Sequence, residues 1–326
     1  MLGKELAEEG RGRLAKPVWW VAIVVILSLL PLVIRSPYWI HILITTFMYI
    51  IATSSLRTIT VSGQFPMAHG AFMGIGAYVS AVPARWFGWP LWLTIPMGGL
   101  TAMVVGILIG YPFARLRALY YAMVSLFFGI GILQVLFVFD AWTGANHGLT
   151  GIPLLFPATA SKEPYYYFFL GLAVVCLAAL YRFESCRIGM SLKAVAQSYT
   201  VASSVGINEA RYRVLALAVG SFFVGIAGAA YGHYTSVLSY TSFDMLATMW
   251  LFIYMLVGGR SDFAGPIMGT ALLFIVPEAL RGLKEFVPFL SAVILLIVAY
   301  LRPEGLVSFL KVFALRRPHS LYRPQS

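Results

Sequence analysis

The feature that most constrains this chain is a succession of long, uncharged apolar runs joined by short loops. Residues 18–34, 91–112 and 119–139 contain no Asp, Glu, Lys or Arg at all. Each run is close to the 20 or so apolar residues that cross a bilayer as a helix, and about twice what a membrane strand needs. Inside lipid every backbone polar group must be satisfied within the structure, so such runs fold as helices. A soluble chain carries about 25% charged residues. This one carries 11%, with 60% hydrophobic residues, and could not cover its surface in water.

The expected architecture is therefore an all-α polytopic membrane bundle. Hydropathy places about ten membrane segments, at 18–34, 38–59, 66–83, 91–112, 119–140, 165–183, 211–236, 243–258, 265–281 and 286–301. The third, eighth and ninth are short or rich in Gly and Pro, which predicts broken or re-entrant helices. One membrane domain over 18–306 follows, between an N-terminal tail at 1–17 and a basic tail at 307–326. The first run resembles a signal peptide without a small-x-small cleavage site, so it is expected to remain as a span.

The formal net charge of +11 serves this topology. With the N-terminus inside, Arg57, Arg115, Arg117, Arg182, Arg187, Lys193, Arg211, Arg213, Arg260 and the tail charges from Arg302 to Arg323 all fall on the cytoplasmic side. Arg85, Arg281 and Lys284 are exceptions. The bias predicts N-in and C-in, and it leaves no separable basic-aromatic surface for nucleic acid.

Cys176 and Cys186, ten helical residues apart, would stand about 15 Å from one another, too far for a disulfide. The five histidines show no ligand spacing, so neither a metal nor a cofactor is expected. Gly70 and Gly74, Gly106 and Gly110, Gly228 and Gly232, and Gly265 and Gly269 repeat at four-residue spacing, which lets helices approach closely in lipid.

The stretch 184–213 is the only long polar connection expected in the cytoplasm. Ile188, Leu192, Val195 and Tyr199 fall on one helical face, which predicts an amphipathic helix over about 190–205. Gly206 and Ile207 suit a left-handed stop, and Asn208 suits the cap of the next helix. A helix lying on the membrane surface gives the same pattern.

This stretch, from Gly189 to Gly206-Ile207-Asn208, resembles the coupling loop of LivM-type permeases, membrane subunits of ABC importers for branched-chain amino acids. Lys193 stands where that family has Arg, and Gln197, Ser198 and Tyr199 stand where it has charged residues. Ser62-Gly63-Gln64 with the segment from Gly70 to Tyr78 is similar to the family's early glycine-rich element, apart from Pro66. Tyr121 to Leu126, Thr143 to Pro153, Gly258-Gly259 to Gly265-Pro266, and Arg302 to Leu306 resemble its further motifs, with Arg260 and Asp262 replacing smaller residues. The resemblance covers residues 38–306.

The chain has no Gly-x-x-x-x-Gly-Lys-Ser/Thr loop to hold ATP. The resemblance implies that two cytoplasmic ATP-binding subunits dock on the 190–205 helix, with a periplasmic substrate-binding protein outside and a second homologous permease completing the pore. It implies a multi-pass protein of the bacterial inner membrane that is not itself an enzyme. Gly189, Leu192, Lys193, Ala194, Val195, Ala202, Val205 and Gly206 are the expected coupling residues; packing against the chain's own spans is the competing role. Gly63, Gln64, His69, Gly74 and Gly76, in the segment expected to be broken, are candidates for the substrate pathway, since broken helices expose backbone donors and acceptors to a zwitterion. Urea or short amides are an alternative substrate class. An ion-coupled transporter would need intramembrane acids, and an intramembrane enzyme would need a catalytic constellation that these residues do not form.

Overall fold

The structure is a computed structural model that describes residues 23–279 except 33, 35, 117 and 157–161, together with positions 293, 296, 300 and 306. The tail at 1–17, nearly all of the tenth expected segment and the basic tail lie outside the described residues.

Helix α1 spans Ile23–Leu32. Helix α2 (Pro37–Thr60) starts with Pro at its first turn, where the missing N–H costs nothing. Helices α3 (His69–Phe87), α4 (Leu91–Phe113) and α5 (Ala118–Val138) follow. A short turn α6 (Asp140–Thr143) and strand β1 (Leu149–Thr150) lead to α7 (Glu163–Ser185). Two short helices, α8 (Arg187–Gln197) and α9 (Tyr199–Ser204), precede α10 (Glu209–Thr235) and strand β2 (Val237–Leu238). Helices α11 (Met245–Gly258) and α12 (Ala264–Ala279) complete the order.

Among the described residues, six helical stretches are long and apolar enough to cross a membrane: α2, α4, α5, α7, α10, and α11 together with the turn that leads into it. The chain is thus an all-α membrane bundle. The expected break in the third segment is displaced. Helix α3 runs without interruption through Gly74 and Gly76, and the irregular stretch lies before it, at 61–68.

Helices α2 and α10 form the centre. From Ile42 to Ile59 nearly every residue of α2 is buried, as expected of a helix apolar on all sides. Its hydroxyls bond back along the helix, as Thr46 does to Ile42 O at 2.7 Å and Thr53 to Tyr49 O at 2.7 Å. Helix α10 packs against α2, α3 and α4. The three-helix crossing of α3, α4 and α10 is built on absent side chains. A Cβ on Gly76 would overlap the Gly225 carbonyl, and one on Gly228 would overlap the Met73 carbonyl. Close backbone approach of this kind is how helices associate in lipid, where apolar burial alone gives no drive. Helix α5 lies at the periphery and presents Tyr120, Phe127 and Val138 outward.

The bundle has two distinct ends. At one, β1 and β2 pair antiparallel, Leu149 opposite Leu238. Near them His233 Nδ1 donates to Pro153 O at 2.9 Å, and its Nε2 accepts from Ser80 at 2.9 Å. Trp142 meets Trp86 and Phe87 there. The opposite, basic end carries Arg57, Arg213, Arg260 and the helices α8 and α9.

Candidate functional site at the basic end

Local chemistry explains α8 and α9. The predicted single helix over 190–205 is divided at Ser198, whose backbone is extended (φ −158°, ψ 108°). The Ser198 hydroxyl caps α9 by accepting from Val201 N–H at 3.4 Å. The predicted stop is present. Gly206 has φ +84°, and Ile207 N–H donates to Ala202 O at 3.0 Å. Asn208 Oδ1 then accepts from Arg211 N–H at 3.1 Å and caps α10, with Glu209 in the first turn, where the helix dipole favours an anion.

The expected coupling residues divide into two sets. Gly189, Leu192, Val195 and Ala202 are buried and hold α8 and α9 to α7 and α10. Buried side chains cannot present surface to another protein, so this part of the expected docking set is given over to internal packing. Ala194 is half-buried, whereas Lys193, Val205 and Gly206 are exposed. The outward face also includes Met190 (60% exposed), Gln197 and Val201. The outward face thus combines Met190, Val201 and Val205, at 60–71% exposure, with Lys193 and Gln197.

The candidate pathway residues also divide. Gly74 seats the Phe243 ring, and Gly76 belongs to the α3–α10 crossing. Both are close-packing positions. Gly63, at φ +82°, forms the turn after α2 and lies against Ala196 of α8. This contact joins the irregular stretch 61–68 to the two short helices. Gln64 and His69 are buried, and both keep an acceptor without a partner. His69 Nε2 reaches Ala52 O at 3.1 Å and Ser55 Oγ at 3.0 Å. That leaves His69 Nδ1 unpaired, along with Gln64 Oε1 and Ser54 Oγ. Next to them the Gly70 N–H donates to Thr248 Oγ1 at 2.8 Å. Buried acceptors without donors are costly and uncommon. Among the described residues, three of the five unpartnered buried polar atoms lie in α2, α3 and the stretch between them; the other two are Tyr121 Oη and Arg213 Nε.

Two residues that sequence reasoning did not single out stand at the same end. Arg57 and Glu184 form a buried ion pair, at 3% and 5% side-chain exposure. Thr58 Oγ1 donates to the other Glu184 oxygen at 2.9 Å. Arg57 was assigned to topology by its charge, and its partner lies 127 residues away. The available signal was Glu184 itself, an acid at the end of an otherwise apolar span.

Among the described residues, no group of three or more His, Cys, Asp or Glu is placed to hold a metal ion. Cys176 and Cys186 are free.

A family model described as "Branched-chain amino acid transport system / permease component" matches residues 38–301. The chain is 26% identical over 289 residues to the "high-affinity branched-chain amino acid transport system permease protein LivM" of Escherichia coli (strain K12), covering 80% of this chain and 68% of that protein. It is 22% identical over 233 residues to the "probable branched-chain amino acid transport permease protein LivM" of Methanocaldococcus jannaschii, covering 66% and 67%. The LivH permease of Escherichia coli (strain K12) is 24% identical over 272 residues, covering 76% and 86%. No solved structure is significantly similar.

Proposed function

This chain belongs to the family of permease components of branched-chain amino acid transport systems, and we propose that it forms half of the membrane pathway of an ATP-driven importer for branched-chain or related hydrophobic amino acids. It is a multi-pass membrane permease that works as one component among several. The observation that carries the fuller reading is the pair α8–α9, held by buried residues on one side and exposing Met190, Val201 and Val205 beside Lys193 and Gln197 on the other, in a chain that matches the family over 38–301.

In this reading the basic end faces the cytoplasm of a bacterium, by the positive-inside bias. The chain crosses the inner membrane about ten times, counting short spans, with both termini inside. Two separate ATP-binding subunits dock on the face formed by Met190, Lys193, Gln197, Val201, Val205 and Gly206. Ala194 lies at the margin of that face. Similarity to both LivM and LivH supports pairing with a second homologous permease. A periplasmic binding protein engages the end that carries the β1–β2 pair.

The pathway runs beside α2 and the start of α3. An amino-acid ammonium needs acceptors when it leaves water, and Gln64 Oε1 and His69 Nδ1 are acceptors with no donor of their own. Sites that pass a substrate on must bind it weakly, which suits a few isolated acceptors better than a tight cage.

The test is to purify the complex with its associated subunits and titrate the binding protein by calorimetry. The reading expects binding of leucine, isoleucine or valine. A binding protein that takes urea or acetamide and no amino acid contradicts the substrate assignment.

A further inference from the structure

Both ends of α8 bear on the last turn of α2 and the turn that follows it. At the N-terminal end, Gly189 lies on the backbone of Glu184, so closely that a Cβ would overlap the Glu184 carbonyl. Glu184 in turn holds Arg57 and Thr58 of α2. At the C-terminal end, Ala196 meets Gly63. The Arg57 guanidinium extends the connection further. Its Nε donates to Arg260 O at 3.2 Å and its Nη2 to Ser261 O at 3.3 Å, both between α11 and α12. It also lies 5.8 Å from the Phe263 ring. One planar side chain therefore registers α2, the end of α7 and the α11–α12 connection.

Stability does not explain this arrangement. Desolvating two charges costs about as much as their attraction returns, and apolar replacements of equal volume are often no less stable. A rigid fork of donors supplies direction, because it fixes the elements that it joins in one geometry. The junction between α7 and α8 is short and closely packed, with Gly189 on the Glu184 carbonyl and Cys186 Sγ donating to Phe183 O at 2.9 Å. It is the single residue Cys186, with extended backbone at φ −85° and ψ 179°. The Gly189 contact makes α8 and the end of α7 move together, and Glu184 stands at that end.

We infer that Arg57 and Glu184 are positioning residues for energy coupling. Through them a displacement of α8 by a docked ATP-binding subunit, carried by Gly189 to the end of α7, reaches α2 and the α11–α12 connection. The inference rests on the reading of α8–α9 as the docking element.

The test uses the whole complex, with its ATP-binding and substrate-binding subunits, in liposomes. Uptake of radiolabelled leucine and ATP hydrolysis are measured together. Glu184→Gln should lower leucine taken up per ATP by about tenfold, within the usual range of site-to-site coupling, while hydrolysis stays near wild type. Arg57→Lys, which keeps the charge and loses the fork, should also lower the ratio. Thr58→Val, which removes one arm, should lower it by about threefold. Thr270→Val removes a second bond between α12 and α2, at Thr53, that does not involve Arg57 or Glu184, and should leave the ratio unchanged. Uptake and hydrolysis falling together at constant ratio would mark the pair as merely structural and overturn the inference. So would an unchanged ratio in Glu184→Gln, or an equal loss in Thr270→Val. If Glu184→Gln does not assemble, Arg57→Lys and Thr58→Val decide by the same criteria. A wild-type complex without ATP-driven uptake would instead overturn the docking reading, and the joint with it.

Discussion

Gly63, in the turn after α2, faces Ala196 of α8 so closely that a Cβ on the glycine would stand 3.4 Å from the Ala196 Cα. Its φ of +82° adds a second constraint, because L-residues avoid that region at a cost of about 1–2 kcal/mol. The distance alone is an ordinary contact. Gly63→Ala should therefore destabilise by about 1 kcal/mol, mostly through the backbone, and lower the Tm of the detergent-solubilised protein slightly. Gly63→Val should cost more. Equal Tm values for wild type and Gly63→Val would show that the turn is not held in this conformation.

The two sides of α8–α9 should respond differently to mutation. Leu192 is fully buried, so Leu192→Ala should cost about 2–5 kcal/mol of stability. Met190→Glu and Val205→Glu place charges on exposed positions and should leave the fold intact while reducing co-purification of the ATP-binding subunits. Ala194→Glu should have an intermediate effect. Pull-down from detergent extracts, read beside thermal melts of the isolated chain, separates the two outcomes. Retained subunits in both outward variants would remove this face from the docking surface.

Glycines in different settings should also separate. Gly228→Ala forces α10 away from the Met73 carbonyl, and the bundle should lose several kcal/mol or fail to assemble, beyond the about 1–3 kcal/mol of ordinary overpacking. Gly131, in α5, has nothing within 4 Å of a built Cβ, and Gly131→Ala should stabilise by about 0.5–1 kcal/mol through helix propensity. Melting curves of the two variants test the crossing directly. Similar curves would contradict it.

The Gly70 N–H depends on Thr248. Thr248→Val keeps the shape and removes the acceptor, leaving a buried donor unpaired at a cost of about 1–3 kcal/mol. Thr248→Ser should retain most of the stability. Hydrogen exchange at the start of α3 reports the difference. Unchanged protection in the valine variant would show that water replaces the bond.

What was legible in the sequence was local. The stop at Gly206 and the cap at Asn208 follow from turn and capping chemistry within a few residues, and both are present. The apolar runs give the helices for the same reason. Ser198 shows the limit. Amphipathic spacing carries the helix through it, yet its hydroxyl starts a new helix instead. Glycines at 74 and 76 read equally as a break or as a close approach, and only the neighbouring Phe243 and Gly225 decide. The Arg57–Glu184 pair was illegible because its partners are distant in the chain, and each side chain has a simpler local reading as a charge at a span end. Burial of Gly189, Leu192, Val195 and Ala202 was not legible either. A period of 3.6 identifies the apolar stripe but does not say that the chain's own spans already cover it.

In the proposed importer this chain conducts an amino acid only when a partner hydrolyses ATP. The most direct measurement is uptake of radiolabelled leucine by liposomes holding either the complete complex or this chain alone. Uptake by the complete complex should require ATP, and the chain alone should show none with ATP or under proton or sodium gradients. Gradient-driven uptake by the isolated chain would contradict this.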